Sequence, residues 1–190
     1  MKLSKLGYTK KWIRYEFITP EEFEKQLNHF LASEEKVQEN YRFTSFVNWL
    51  NSKEKLSDRE LENFVELAVE DSNEHMAGSA LKELIESPKI TDKQFEHLKI
   101  QFSTFGDWTK KVVLRETLIR RLNNEPLSLE LFEECLNYKN TFEDSRLLVS
   151  IIQDTEDLDI LSRFAESPVG KRIKTLADKK INKIIRSQQQ

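Results

Sequence analysis

"TPEEFEKQLNHFL", residues 19–31, begins with the residues that start an α-helix, in the order a helix needs them. Thr19 can accept a hydrogen bond from a free backbone N–H at the helix start. Pro20 falls at the first helical position, where its missing N–H is not needed. Glu22 stands three residues after Thr19 and completes a capping box. The pattern returns as "LSDRELENFVELA" (56–68), "ITDKQFEHLKIQF" (90–102), "LSLELFEECLNY" (127–138) and "TEDLDILSRFAES" (155–167). With Thr19, Ser57, Thr91, Ser128 and Asp157 as caps, the spacings are 38, 34, 37 and 29 residues. Capping boxes are also spelled by Ser57 with Glu60 and by Thr91 with Gln94. Four residues after the caps stand Phe23, Leu61, Phe95, Phe132 and Leu161, and seven after them Gln26, Phe64, Leu98, Cys135 and Phe164. All but Gln26 are apolar, so the two columns form one face of a helix.

Each of these helices is followed by a break and a second apolar-periodic segment. The second segments run over 38–51, 74–86, 108–122, 143–153 and 170–186. Pro88 and Pro126 close the second and third pairs, because proline cannot continue a helix. A recurrence of this length is the period of helical solenoids, in which each hairpin leaves an apolar face for its neighbour to cover. The sequence therefore predicts an all-α protein: a right-handed α-solenoid of about five antiparallel helical hairpins over 19–186. An irregular helical bundle is the alternative arrangement of the same helices. Residues 1–18 stand outside the repeat as an N-terminal arm, extended through "YTKKWIRYEFI", or as a capping helix. Residues 187–190 read as a disordered tail, and the whole as a single domain.

Composition agrees with this reading. Four Gly and four Pro in 190 residues are too few for the turns of an all-β fold. Recurring Phe, Leu and Ile argue against disorder. One cysteine, Cys135, rules out an internal disulfide and any multi-thiolate metal site, and its apolar neighbours predict a buried thiol. The expected setting is the cytoplasm, since no apolar run reaches the roughly 18 residues of a membrane span and the N-terminus has no signal-peptide core.

The stretch "DSNEHMAGSALKELIES" (71–87) resembles the second half of a HEAT repeat, with Ala80-Leu81 and Leu84 where that family packs small and large residues. The likeness extends loosely over 19–186, on a HEAT/armadillo-like plan. The third and fourth hairpins depart from it in lacking the Ala-Leu pair. The resemblance implies that second helices line a concave surface and first helices a convex one. Over the first helices acidic residues exceed basic ones by nine, and over the second helices basic residues exceed acidic ones by seven. On the implied plan the concave side is basic, a footprint for an anionic partner. Ordinary solvated lysines, complementing a helix dipole, account for the same counts.

No reaction is spelled out. His29, His75 and His97 lie in three different hairpins without metal-ligand spacing, and neither a phosphate loop nor a nucleophile elbow occurs. "FSTFGDWTKK" (102–111) places Phe105, Asp107 and Trp108 at a turn before a basic helix. That grouping loosely resembles the site of HEAT-like DNA alkylation-repair glycosylases, where a carboxylate and aromatic faces would stabilise developing positive charge. The structural account is that Trp108 anchors the turn and Asp107 caps the next helix. Trp49, at helical spacing from Phe46, reads as core or groove lining, whereas Trp12 among Lys10, Lys11 and Arg14 reads as an exposed anchor.

The expectation is a non-enzymatic protein-binding module without cofactor or metal. The candidate contact residues are Trp12, Arg14, Trp108, Lys110, Lys111, Arg115, Lys179, Lys180 and Lys183. The alternatives are a nucleic-acid-binding HEAT-like protein of a DNA-repair kind, using the basic second helices, and a cytoplasmic immunity or inhibitor protein. No membrane partner and no small-molecule substrate is expected.

Overall fold

A computed structural model describes residues 2–34, 36–102 and 107–188, with only the backbone described at residue 107. The protein is all-α: among the described residues there is no strand, and eleven α-helices follow a short 3₁₀ turn at Leu3–Leu6. They are α1 (Lys10–Arg14), α2 (Pro20–Ala32), α3 (Gln38–Asn51), α4 (Asp58–Val69), α5 (Glu74–Ile85), α6 (Asp92–Phe102), α7 (Asp107–Asn124), α8 (Leu129–Phe142), α9 (Arg146–Asp154), α10 (Leu158–Glu166) and α11 (Lys171–Gln188). None of the described helices is long and apolar enough to cross a membrane. The contacts divide the chain into two compact units, Met1–Val112 and Val113–Gln190.

The expected caps form. Thr19 and Ser57 each accept the N–H of Glu22 and Glu60, and each receives the glutamate in return. Thr91 N–H donates to Gln94 Oε1 at 2.9 Å while Gln94 N–H donates to Thr91 Oγ1 at 3.2 Å. Ser128 accepts from Leu131 N–H, and Asp157 from Asp159 and Ile160 N–H. These bonds satisfy amides that a helix start otherwise leaves open.

The first unit is built on aromatic rings. Phe17 stacks on Trp49 with centroids 4.0 Å apart and planes at 10°. Trp12 meets Tyr8 and Phe46 edge-on at 4.8 and 4.6 Å, and Phe46 lies 4.6 Å from Phe64. This corrects two readings of residues 1–18. The segment "YTKKWIRYEFI" is not extended: it holds the short helix α1. Trp12 is not an exposed anchor but 2% exposed, because α1 turns its lysines outward and its indole inward onto α3. The apolar residues Leu6, Tyr8, Trp12, Phe17 and Ile18 are all buried, so this segment belongs to the core. Trp49 is core, as expected.

A buried ion pair fastens the N-terminal segment. Arg42 on α3 donates to Asp71 through Nε at 2.6 Å and Nη2 at 3.0 Å, and through Nη1 to the Leu6 carbonyl at 2.8 Å. Both side chains are under 5% exposed. Asp71 also accepts the Asn73 N–H at 2.9 Å, at the turn into α5. Gly7 sits at φ 74°, and a Cβ there would collide with the Arg42 guanidinium. Glycine answers both the left-handed backbone and the close approach.

Within the first unit α3 packs on α5 and α4 on α5. Within the second α8 packs on α9, and α11 lies against α9 and α10. The second core gathers Phe132, Leu148, Leu161 and Phe164, each 0% exposed, around Cys135, which is equally buried. Burial pushes the Cys135 thiol up to about 12, so it is the inert structural thiol its neighbours predict. Ile173, Ala177 and Ile184 of α11 complete this core. The helix continues through Ser187 and Gln188, where a tail is expected, and residues 189–190 lie outside the described residues.

Lysine ammonium groups close several helix C-termini. Lys36 donates to the Phe30 carbonyl at 2.6 Å, Lys89 to Leu50 at 2.8 Å, Lys174 to Ala165 at 2.6 Å and Lys180 to Gln153 at 2.8 Å. Each places a cation at the negative end of a helix dipole.

Candidate functional site

In the first unit, α4 and α6 border two adjoining hollows of about 200 and 250 Å³. Leu61, Glu62 and His97 line both. Together they form a groove beside all of α4, which at 1.5 Å per residue is about 18 Å long. Its position follows from the helix sequences. Leu61 and Leu98 occupy the buried columns and form the floor, while Val65 and Val69 follow at four-residue steps and carry the apolar strip outward. Val69 is 50% exposed, and Ile100, three residues beyond His97 on α6, is 73% exposed.

The rim is mainly acidic. Asp58, Glu62 and Glu66 stand on α4, with Lys93, His97 and Gln101 opposite on α6. Asp58 accepts from Gln94 Nε2 at 2.8 Å. The Lys11 ammonium, helped by the Tyr15 hydroxyl, holds the Glu66 carboxyl below its ordinary value. Glu62 is exposed and has no partner among the described residues. An apolar floor with carboxylates along one edge suits the side chains of an amphipathic helix.

The residues singled out from sequence are placed differently. Arg14 is exposed, with its guanidinium 4.7 Å from the centre of the Tyr15 ring. Trp108 is 40% exposed and lies over Gly78 of α5, where an added Cβ would stand 3.0 Å from the indole. Lys110 is exposed and Lys111 half-buried. Arg115 is corrected: it is 5% exposed and lies 3.9 Å from the Asp144 carboxylate, inside the second unit. A guanidinium on the inner face of α7 serves packing rather than a partner. Lys179 and Lys183 are exposed on α11, whereas Lys180 is the helix cap described above. Phe105, from the grouping likened to a glycosylase site, lies outside the described residues, and so does the Asp107 side chain. His29, His75 and His97 are all exposed, and among the described residues no three His, Cys, Asp or Glu gather as a metal site.

Reading the repeat columns alone misses the groove. Its signal is the excess width of the α4 stripe, where Val65 and Val69 add to Leu61, Phe64 and Ala68 more apolar surface than one neighbouring helix covers. No protein-family model, no curated protein and no solved structure matches the chain.

Proposed function

We propose that the chain is a non-enzymatic protein-interaction module on a HEAT-like helical-repeat scaffold, and that the groove between α4 and α6 receives an apolar-faced helix of a protein partner. The observation that carries this reading is the groove itself: an apolar floor continuous with half-exposed Val69, edged by carboxylates of which Glu62 is unpaired. Exposed apolar surface rimmed by polar groups marks interaction sites on soluble domains. The repeat scaffold is supported by the five recurrent caps and by the packing of second helices of successive hairpins, α3 on α5 and α9 on α11. A basic flank on the incoming helix complements Asp58, Glu62 and Glu66.

The test compares proteins retained from the native cell by the wild-type chain and by a Val69→Glu/Ile100→Glu variant. Both sites are exposed, so the variant keeps its melting temperature. A protein retained by the wild type and lost by the variant supports the reading; identical retention overturns it. A second reading, nucleic-acid binding, rests on the exposed Lys171, Arg172, Lys179, Lys183 and Arg186 of α11. It requires duplex affinity that falls steeply between about 50 and 200 mM salt.

A further inference from the structure

A second concave feature of the first unit lies away from the groove floor and has the opposite electrostatic character. It is a cleft of about 550 Å³ between the end of α1, the end of α3 and the start of α4, bordered by Arg14, Tyr15, Glu16, Trp49, Lys53 and the first turns of α4. We infer that this cleft binds a carboxylate on an acidic segment of a partner polypeptide, gripped by the guanidinium groups of Arg14 and Arg59.

Four observations converge there. The first is charge. Lys53 is committed to Glu60 at 2.7 Å, and the two cancel. Arg14 and Arg59 then remain against the single carboxylate of Glu16, so the lining carries a net positive charge. The second is unused donor capacity. Arg59 is exposed and has no partner among the described residues. Arg14 spends Nη2 on the Tyr15 hydroxyl at 2.6 Å and keeps further N–H groups available. Trp49, 5% exposed, forms part of the wall, and its Nε1–H is buried without an acceptor among the described residues. A buried donor left unpaired is destabilising, so an acceptor brought to this wall of the cleft has a stabilising role to fill.

The third is preorganisation. Arg14 is already stacked on Tyr15, whose hydroxyl is anchored to Glu66 at 2.7 Å, so little freedom is lost when the guanidinium engages a ligand. The fourth decides between a carboxylate and a phosphate. At the start of α4 the third amide is already taken, since Glu60 N–H donates to Ser57 Oγ at 3.3 Å. The Glu60 carboxylate is held at the same helix end by Lys53 and by Ser57, whose N–H lies 2.9 Å away. A dianion would meet that carboxylate and Glu16. A singly charged, planar carboxylate matches the guanidinium fork without that conflict.

The inference is tested on the full-length ¹⁵N-labelled chain by following the Trp49 indole N–H resonance, assigned with Trp49→Phe. The probes are an acetylated, amidated tetraglutamate peptide, its tetraglutamine counterpart and inorganic phosphate. The glutamate peptide is expected to move the Trp49 resonance saturably, the glutamine peptide to leave it in place, and Arg59→Gln to weaken binding about tenfold, the effect of losing a charge-assisted hydrogen bond. Three results overturn the inference: no movement with tetraglutamate, equal affinity in Arg59→Gln, or phosphate binding as tightly as the peptide. The Val69→Glu/Ile100→Glu variant, which disables the groove, is expected to bind tetraglutamate unchanged. Failure of the groove reading and failure of this one are therefore separately visible.

Discussion

Replacing Arg42 by Met leaves Asp71 buried without its counter-charge. The side chains are of similar length, so little volume is lost, and what disappears is two charge-assisted bonds to Asp71 and one to the Leu6 carbonyl. At under 5% exposure neither carboxylate oxygen can turn to bulk water in compensation. Breaking a buried pair by removing one partner costs about 3–5 kcal/mol. For a unit of this size that corresponds to a melting temperature lower by about 15–25 °C. The attraction within the pair is largely offset by the desolvation of both ions, so removing both charges is far milder. Arg42→Met/Asp71→Asn, which keeps an oxygen for the Asn73 N–H, is expected within about 2 kcal/mol of the wild type, with a coupling energy of about 1–3 kcal/mol. The assay is unusually clean, since all three tryptophans, Trp12, Trp49 and Trp108, lie in the first unit. Urea unfolding followed by tryptophan fluorescence therefore reports that unit alone. A single-variant loss below about 1 kcal/mol, or a double variant no better than the single one, would refute the argument.

Arg146 first, with Arg115 behind it, holds the Asp144 carboxyl down at about 2. A depressed carboxyl stabilises the fold above its unfolded value near 4 and loses that contribution as pH falls towards 2; Asp144→Asn is expected to flatten the slope in melting experiments across that window, and an unchanged slope contradicts it. Cys135 should react with a thiol reagent only as fast as the second unit opens, since burial suppresses the thiolate; rapid labelling of the native chain at pH 8 would place it elsewhere. Deleting residues 170–190 strips Ile173, Ala177 and Ile184 from the second core, so solubility and melting temperature both fall; an unchanged melting temperature overturns the packing assigned to α11. Lys180→Gln, which uncaps Gln153, is expected to cost about 0.3–1 kcal/mol, whereas Lys179→Gln and Lys183→Gln leave thermal stability unchanged.

Helices and their starts were legible because their determinants are local. A cap and the glutamate or glutamine three residues on are read from four consecutive letters, and all five expected caps form. The N-terminal segment was harder. At five residues α1 is too short to display a helical period, so its Trp12 looks like an aromatic stranded among lysines. The burial of Arg42 and Arg115 is not legible in the sequence, because each answers a carboxylate 29 residues away, and no periodicity reports a partner at that distance. Lys180 resembles its neighbours until the end of α9 comes within reach of its ammonium group. The groove and the cleft were not legible at all as sites, since both arise from the spacing between helices rather than from any one of them.

The lysines that close helix ends make amine chemistry a conformational reporter. An acylating reagent must reach the amine nitrogen, and a nitrogen engaged with carbonyl oxygens is less open to attack than a solvated one. Lys179 and Lys183 are therefore expected to acylate first, and Lys36, Lys89, Lys174 and Lys180 later. Once acylated, each of those four loses its charge and with it the favourable term at a helix terminus. Light labelling thus leaves the protein intact, while exhaustive labelling frays the ends of α2, α3, α9 and α10.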